Sequence, residues 1–198
     1  MDVSCIILAG GRSTRIDRDK KFLMFRGKSF IERAVEVAKR LSNDVIISLG
    51  TKDQKIEGVA IGLHGVNIVI DHLEARGPIV GLYSALKKCS KEHAVVMPCD
   101  VPLLDHKVLQ SMIDGSGGYD AVVPRAGEFM EPLLAVYRVK PMLEVCEESI
   151  ESCNWDVQGA VLKLKNIKYI DTDMSNFLNV NTSEDLEKLL KNAREYGR

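Results

Sequence analysis

Two glycines, Gly10 and Gly11, directly follow an apolar run, and five basic residues occupy the next ten positions: Arg12, Arg15, Arg18, Lys20 and Lys21. Glycine lets a backbone turn tightly and brings its N–H groups against a ligand. Arginine grips a phosphate with a planar fork, and lysine acts as a compact point charge. This combination after a strand suits a di- or triphosphate. Two better-known phosphate motifs are excluded. A dinucleotide fingerprint needs a third glycine that this segment lacks, and Gly27-Lys28-Ser29 is only the second half of a P-loop, because position 22 is Phe22.

Carboxylates supply the complementary chemistry. Asp100 ends an apolar segment and is bracketed by Pro98 and Pro102, which hold it rigidly. A divalent ion can neutralise charge on phosphate oxygens. Mg²⁺ takes one or two protein carboxylates and completes its shell with water and phosphate, and Asp100 fits that demand. Asp71 follows another apolar run, whereas Asp105 suits the start of a helix. His72 and His106 each follow one of these loops, and no spacing marks them as a metal pair.

Stepping from these residues to the elements that carry them, short apolar runs alternate with amphipathic stretches. Strands are expected at Ser4–Leu8, Asp44–Leu49, Val66–Ile70, Ala94–Met97, Asp120–Pro124, Pro132–Tyr137 and Ile167–Ile170. Helices are expected at Phe30–Leu41, Gly81–Cys89, Lys107–Ile113, Pro141–Ile150 and Ser183–Arg194, the last capped by Ser183. Alternation of this kind predicts an α/β fold: a single-domain three-layer α/β/α sandwich over residues 1–198, with a mostly parallel, Rossmann-like sheet and at least one antiparallel strand. Ligands of such sheets bind beyond the carboxyl ends of the strands, where the glycines, Asp71 and Asp100 would meet. The glycine-rich stretch Asp114–Gly118 reads as a turn before a strand.

Composition sets the limits. The chain has 198 residues, and 27 Lys+Arg against 28 Asp+Glu leave a net charge of −1. That balance argues against a nucleic-acid partner, whose binding domains are usually basic. No run approaches the roughly 20 apolar residues of a membrane helix, so no membrane association is expected. Val3–Ala9 has no basic flank and is too short for a signal peptide, and the expected location is cytoplasmic. Five cysteines without C-x-x-C spacing read as reduced thiols, with Cys5, Cys99 and Cys146 among apolar neighbours. Trp155, the sole tryptophan, reads as a packing residue.

Leu8-Ala9-Gly10-Gly11-Arg12-Ser13-Thr14-Arg15 with Lys20 resembles the signature of nucleotidyltransferases that join an NTP to a phosphorylated acceptor. The finer resemblance is to the molybdenum cofactor guanylyltransferase (MobA) family. It extends through Arg26-Gly27-Lys28, Gly77–Leu82, Met97–Leu103, Glu131–Tyr137 and Asn179–Leu186. One departure is Ile16-Asp17, where the family pattern has methionine and glycine. Aspartate tolerates left-handed backbone angles better than most residues, and Arg15, Arg18 and Lys20 flank its charge.

The resemblance implies a Mg²⁺-dependent transfer of GMP from GTP to the molybdopterin form of the molybdenum cofactor. The nucleotide would rest on Leu8, Ala9, Gly10 and Gly11. Arg15 and Lys20 would hold the β- and γ-phosphates, Asp71 and Asp100 would contact the nucleotide, and Asp100 would hold the metal. Arg15, Lys20 and Asp100 form the expected catalytic set. Asn179, Asn181 and Arg125 are the expected acceptor contacts; were they in a strand, the two asparagines would point to one side. Expected partners are GTP, a molybdopterin-type acceptor and, in transient contacts, other proteins of molybdenum cofactor biosynthesis or acceptor proteins. Alternatives left open by the residues are a CTP-using relative, a different acceptor such as a sugar phosphate or cobinamide phosphate, and a non-catalytic nucleotide-binding module.

Overall fold

The computed structural model describes residues 1–10, 20–50, 64–71, 77–172, 179–180, Thr182, 184–187, 189 and 191. Eight strands form one sheet in the order β10-β7-β9-β6-β1-β4-β5, with β8 paired to β7. These are β1 (Val3–Leu8), β4 (Asp44–Leu49), β5 (Asn67–Ile70), β6 (His93–Pro98), β7 (Ala121–Ala126), β8 (Phe129–Met130), β9 (Ala135–Arg138) and β10 (Ile167–Asp171). β6, β1, β4 and β5 run parallel to one another, and β10 runs parallel to β7. β9 is antiparallel to both β6 and β7, and β8 is antiparallel to β7. The expected mostly parallel sheet with antiparallel members is present.

Alternation along the central strands sorts their side chains into two cores. Cys5 and Ile7, with Val95 and Met97, pack against α1 (Phe30–Leu41) and α3 (His106–Asp114). Ile6 and Val96 face the opposite layer of α2 (Pro78–Leu86), α4 (Val139–Glu151) and α5 (Val157–Val161). Both faces of the sheet are therefore covered, which is why these strands read as unbroken apolar runs. Cys5, Cys99 and Cys146 are buried free thiols, and burial pushes Cys5 and Cys146 up to about 12. Trp155 is half-buried against the second core, in the packing role expected of it.

The element boundaries show what sequence periodicity misses. α1 has its expected span because Ser29 and Glu32 form a reciprocal capping box. α2 begins at Pro78, three residues before the expected start, since proline is pre-organised for the first helical turn. β9 begins at Ala135; Pro132–Leu134 lie outside the strand. The short α5, capped by the Asp156 carboxylate, escaped the sequence reading. So did the hairpin of β2 (Met24–Phe25) and β3 (Lys28–Ser29), whose turn places Arg26 and Gly27 at φ of 50° and 78°. At the last helix, Thr182 makes the cap: its hydroxyl accepts from the Asp185 N–H at 3.1 Å, and Asp185 accepts from the Thr182 N–H at 2.9 Å. The expected cap, Ser183, and the helix end at Arg194 lie outside the described residues. Val180 and Leu189 pack with Leu23, Phe25 and Phe30 as a small third core, tying this segment to the hairpin. Among the described residues, no helix is long and apolar enough to cross a membrane.

Candidate active site

The carboxyl ends of β1, β4, β5 and β6 meet at one edge. Backbone bonds lock the chain just beyond them. Ala9 N–H donates to Ser48 O at 2.9 Å, Asp71 N–H to Leu49 O at 2.9 Å, and Cys99 N–H to Leu8 O at 3.2 Å. Leu8, Ala9 and Gly10 thus turn off the strand beside Asp71 and Asp100. The glycine at position 10 is a requirement of packing. A Cβ there would lie 2.9 Å from the Gly50 backbone nitrogen, so only a hydrogen lets the ends of β1 and β4 approach this closely.

Lys20 and Asp100 come together at this edge, with Lys20 Nζ 3.8 Å from Asp100 Oδ2. Lys20 opens a 3-10 turn (Lys20–Phe22), while Asp100 follows β6, so the pair joins the segment after the glycine turn to the sheet. Burial raises the Asp100 pKa above its ordinary value, and the Lys20 charge opposes that rise. A carboxylate held partly desolvated in this way gains by meeting a cation. Asp71 is buried and accepts from Ser84 Oγ at 3.4 Å. Lys21, grouped by sequence with the phosphate-facing cations, is instead buried at 1% exposure, its ammonium 5.5 Å from the Phe22 ring centroid. Arg12, Arg15, Arg18, Gly11 and Asp17 lie outside the described residues.

On the other half of the edge, Asn179 and Val180 follow no strand geometry, so the conditional same-side reading of Asn179 and Asn181 does not apply; Asn181 lies outside the described residues. The Val180 N–H donates to the Asp100 carbonyl at 2.9 Å, which brings Asn179 beside Asp100. Among the described residues, Asn179 Oδ1 is buried without a hydrogen-bond partner. An orphaned acceptor of this kind is costly unless a ligand or ion completes it. Arg125 ends β7 and is already engaged: its Nε donates to Asp171 Oδ1 at 2.8 Å, and its guanidinium lies 4.8 Å from the Tyr169 ring centroid.

Sequence reading missed Glu131. It is half-buried, and burial followed by the Asp100 charge raises its pKa, so the two carboxylates share one environment. Its backbone is fixed: Glu131 N–H donates to Pro124 O at 3.0 Å, and the buried Tyr137 hydroxyl donates to Pro132 O at 2.6 Å. Its sequence signal was its place at the head of the Glu131–Tyr137 segment, directly before Pro132. Oxygen donors dominate this neighbourhood, and no cluster of three or more His, Cys, Asp or Glu exists among the described residues. That set fits Mg²⁺, which needs one or two carboxylates and takes its remaining ligands from water and phosphate.

Comparison with known proteins agrees with this geometry. The family model described as a MobA-like NTP transferase domain matches residues 5–159. The chain is 33% identical to a molybdenum cofactor guanylyltransferase of Desulfosudis oleivorans, covering 94% of this chain and 93% of that protein. It is 31% identical to a probable molybdenum cofactor guanylyltransferase of Methanosarcina mazei, over 97% of this chain and 92% of the relative. The crystal structure of molybdopterin-guanine dinucleotide biosynthesis protein A from Archaeoglobus fulgidus has the same fold, with a TM-score of 0.79, 23% identity, and coverage of 98% of this chain and 100% of that one.

Proposed function

The chain belongs to the MobA-like NTP transferase family and is a nucleotidyltransferase, and from that premise we propose that it transfers GMP from GTP to molybdopterin-type cofactor, releasing pyrophosphate. The observation that carries the reading is the Lys20–Asp100 pair at 3.8 Å, set at the carboxyl edge beside the Leu8–Gly10 turn. It puts a cation and a metal-type carboxylate where a triphosphate would lie.

The Leu8–Gly10 backbone presents a glycine-lined surface on which the nucleotide rests, with Gly11 continuing it. Lys20 and Arg15 neutralise the β- and γ-phosphates and stabilise pyrophosphate as the bond from the α-phosphorus to the bridging oxygen breaks. An acceptor phosphate oxygen forms the new bond to that phosphorus in line. Asn179 and Asn181, with Arg125, orient the acceptor, and Asp71 contacts the nucleotide. Asp100, with Asn179 Oδ1 as a second oxygen, would hold Mg²⁺, which would supply neutralisation of charge on the phosphate oxygens. Positioning and charge stabilisation account for the rate without a covalent intermediate.

The test is incubation with Mg²⁺, molybdenum-loaded pterin and each NTP in turn, measuring pyrophosphate. Release with GTP is expected. Release with CTP and not GTP overturns the donor assignment, and tight GTP binding with no turnover establishes a binding module instead.

A further inference from the structure

Asn179 reaches the candidate site from a segment that belongs to no strand, so something other than the sheet must place it. Its neighbour Val180 supplies the link. The Val180 N–H donates to the Asp100 carbonyl at 2.9 Å, while the Val180 side chain is buried in the third core. The Val180 N–H and the Asn179 carbonyl belong to one planar peptide. That plane is therefore held from two directions, by Asp100 and by the core.

The third core also anchors the segment that carries Lys20. The Leu23 N–H donates to Lys20 O at 3.0 Å, and Leu23 O accepts from the Phe30 N–H at 3.0 Å. Leu23, Phe25, Phe30, Val180 and Leu189 are the buried members of this core. Lys20 Nζ in turn lies 3.8 Å from Asp100 Oδ2. Lys20, Leu23, Val180 and Asp100 thus close a ring: main chain, apolar core, main chain, charge. The hairpin side of the ring is stiff, because Arg33 Nε donates to Phe25 O at 3.0 Å and the Ser29–Glu32 capping box fixes the start of α1. On the other side, the Thr182–Asp185 cap starts a helix two residues after Val180, and Leu189 on that helix returns to the same core.

A core of five side chains has little slack. Loss of two methyl groups leaves a cavity that closes only by movement of the segments lining it. Movement at Val180 carries Asn179, whose buried Oδ1 has no hydrogen-bond partner among the described residues. The Leu8–Gly10 turn is outside the ring, since its bonds run to β4 and to Cys99 after β6. We infer that Val180 is a positioning residue for the transfer proposed above, and the role rests on that reading: its side chain, plugged into the third core, sets Asn179 against Asp100 and so aligns the acceptor with the nucleotide.

A double-mutant cycle on the full chain tests this, with V180A, N179A and V180A/N179A beside the wild type. V161A, a truncation inside α5 in the second core, serves as the stability control. V180A should raise KM for the acceptor about tenfold, the scale of one hydrogen bond to a charged group, and change KM for the nucleotide donor by less than about twofold. Affinity for the dinucleotide product, measured by calorimetry without turnover, should fall in the same proportion. V180A/N179A should be no worse than N179A, because a residue that acts through Asn179 then has nothing left to position. V161A should lower the melting temperature and leave both KM values unchanged. L189V, a milder opening of the same core, should repeat the V180A pattern at smaller size and serves if V180A does not fold, and V180I should retain the wild-type acceptor KM. Kinetics of V180A and L189V that match V161A, or V180A and N179A effects that add in full, overturn the inference while the transfer reading stands. A wild type that releases no pyrophosphate with any NTP overturns the transfer reading and the role of Val180 with it.

Discussion

The two halves of the carboxyl edge are built by different means. On the nucleotide side, β6, β1, β4 and β5 run parallel, and their ends converge through backbone bonds between adjacent strands. Leu8–Gly10, Asp71 and Asp100 each sit within two residues of a strand end. On the acceptor side, β9 and β8 reverse direction, and Glu131, Arg125 and Asn179 arrive from three separate segments. β7 lies three strands from β1, or about 14 Å at the usual strand spacing. In the proposed site, one half is set by backbone geometry near the sheet, and the other depends on side chains held by long-range contacts. Changes on the first half should therefore affect chemistry, and changes on the second should affect acceptor recognition.

Asp100→Asn is the sharpest way to break this division. Turnover should fall by roughly 10³-fold or more, as expected when a charge that stabilises the transition state is lost. Stability should move the other way. The folded Asp100 pKa is raised by burial, so the folded state prefers the protonated form. The ionised side chain therefore destabilises the apo protein increasingly as pH rises from the unfolded value through the folded one. The amide has no such dependence. Melting curves should show Asp100→Asn unfolding above the wild type at pH 7, with the gap closing towards pH 3. A mutant that melts lower at pH 7, or that turns over normally, removes Asp100 from the centre of the nucleotide half.

The same division explains what was legible from sequence. The parallel half shows as apolar runs followed by glycine, proline and aspartate, because a strand buried on both faces is a local pattern and its end is marked by residues that stop it. Gly10 and Asp100 could be singled out for that reason. β2, β3 and β8 are two residues each, too short for any period to show. Glu131 acquires meaning only through Asp100, 31 positions away, and Arg125 only through Asp171, its partner at 2.8 Å across β7 and β10. Lys21 was misread because a basic run gives no sign of which member turns inward. Thr182 and Ser183 are both good caps by residue type, and the role of Thr182 shows only through its pairing with Asp185; Ser183 lies outside the described residues.

Glu131 stands at the seam between the halves, so its removal has an intermediate effect. The Asp100 charge makes Glu131 harder to ionise, and repulsion between two ionised carboxylates acts on both members of the pair. Glu131→Gln removes that repulsion. The acid limb of the kcat/KM profile, which reports the pKa of the essential carboxylate, should shift to lower pH. At pH 7 kcat should change by less than about tenfold, since an effect through Asp100 is smaller than losing a group that touches the phosphates. A Glu131→Asp variant should restore the original limb. An unshifted limb with a large fall in kcat would instead put Glu131 in direct contact with the reacting groups.

The mildest test addresses the acceptor half alone. Arg125 and Asp171 are both solvent-open, at 40% and 76% side-chain exposure, and an exposed pair of this kind contributes little to folding. Arg125→Ala should leave the melting temperature within a few degrees of the wild type. If Arg125 leaves Asp171 for the acceptor phosphate, its loss should raise KM for the acceptor about tenfold, the value of one charge-assisted contact, with KM for GTP unchanged. Asp171→Ala should do the opposite, because it frees the guanidinium from its competitor and lowers acceptor KM. A parallel change in both variants would mean that the ion pair acts as a unit, holding β7 against β10 rather than lending its arginine to the ligand. An unchanged acceptor KM in both would confine recognition to the Asn179 side of the edge.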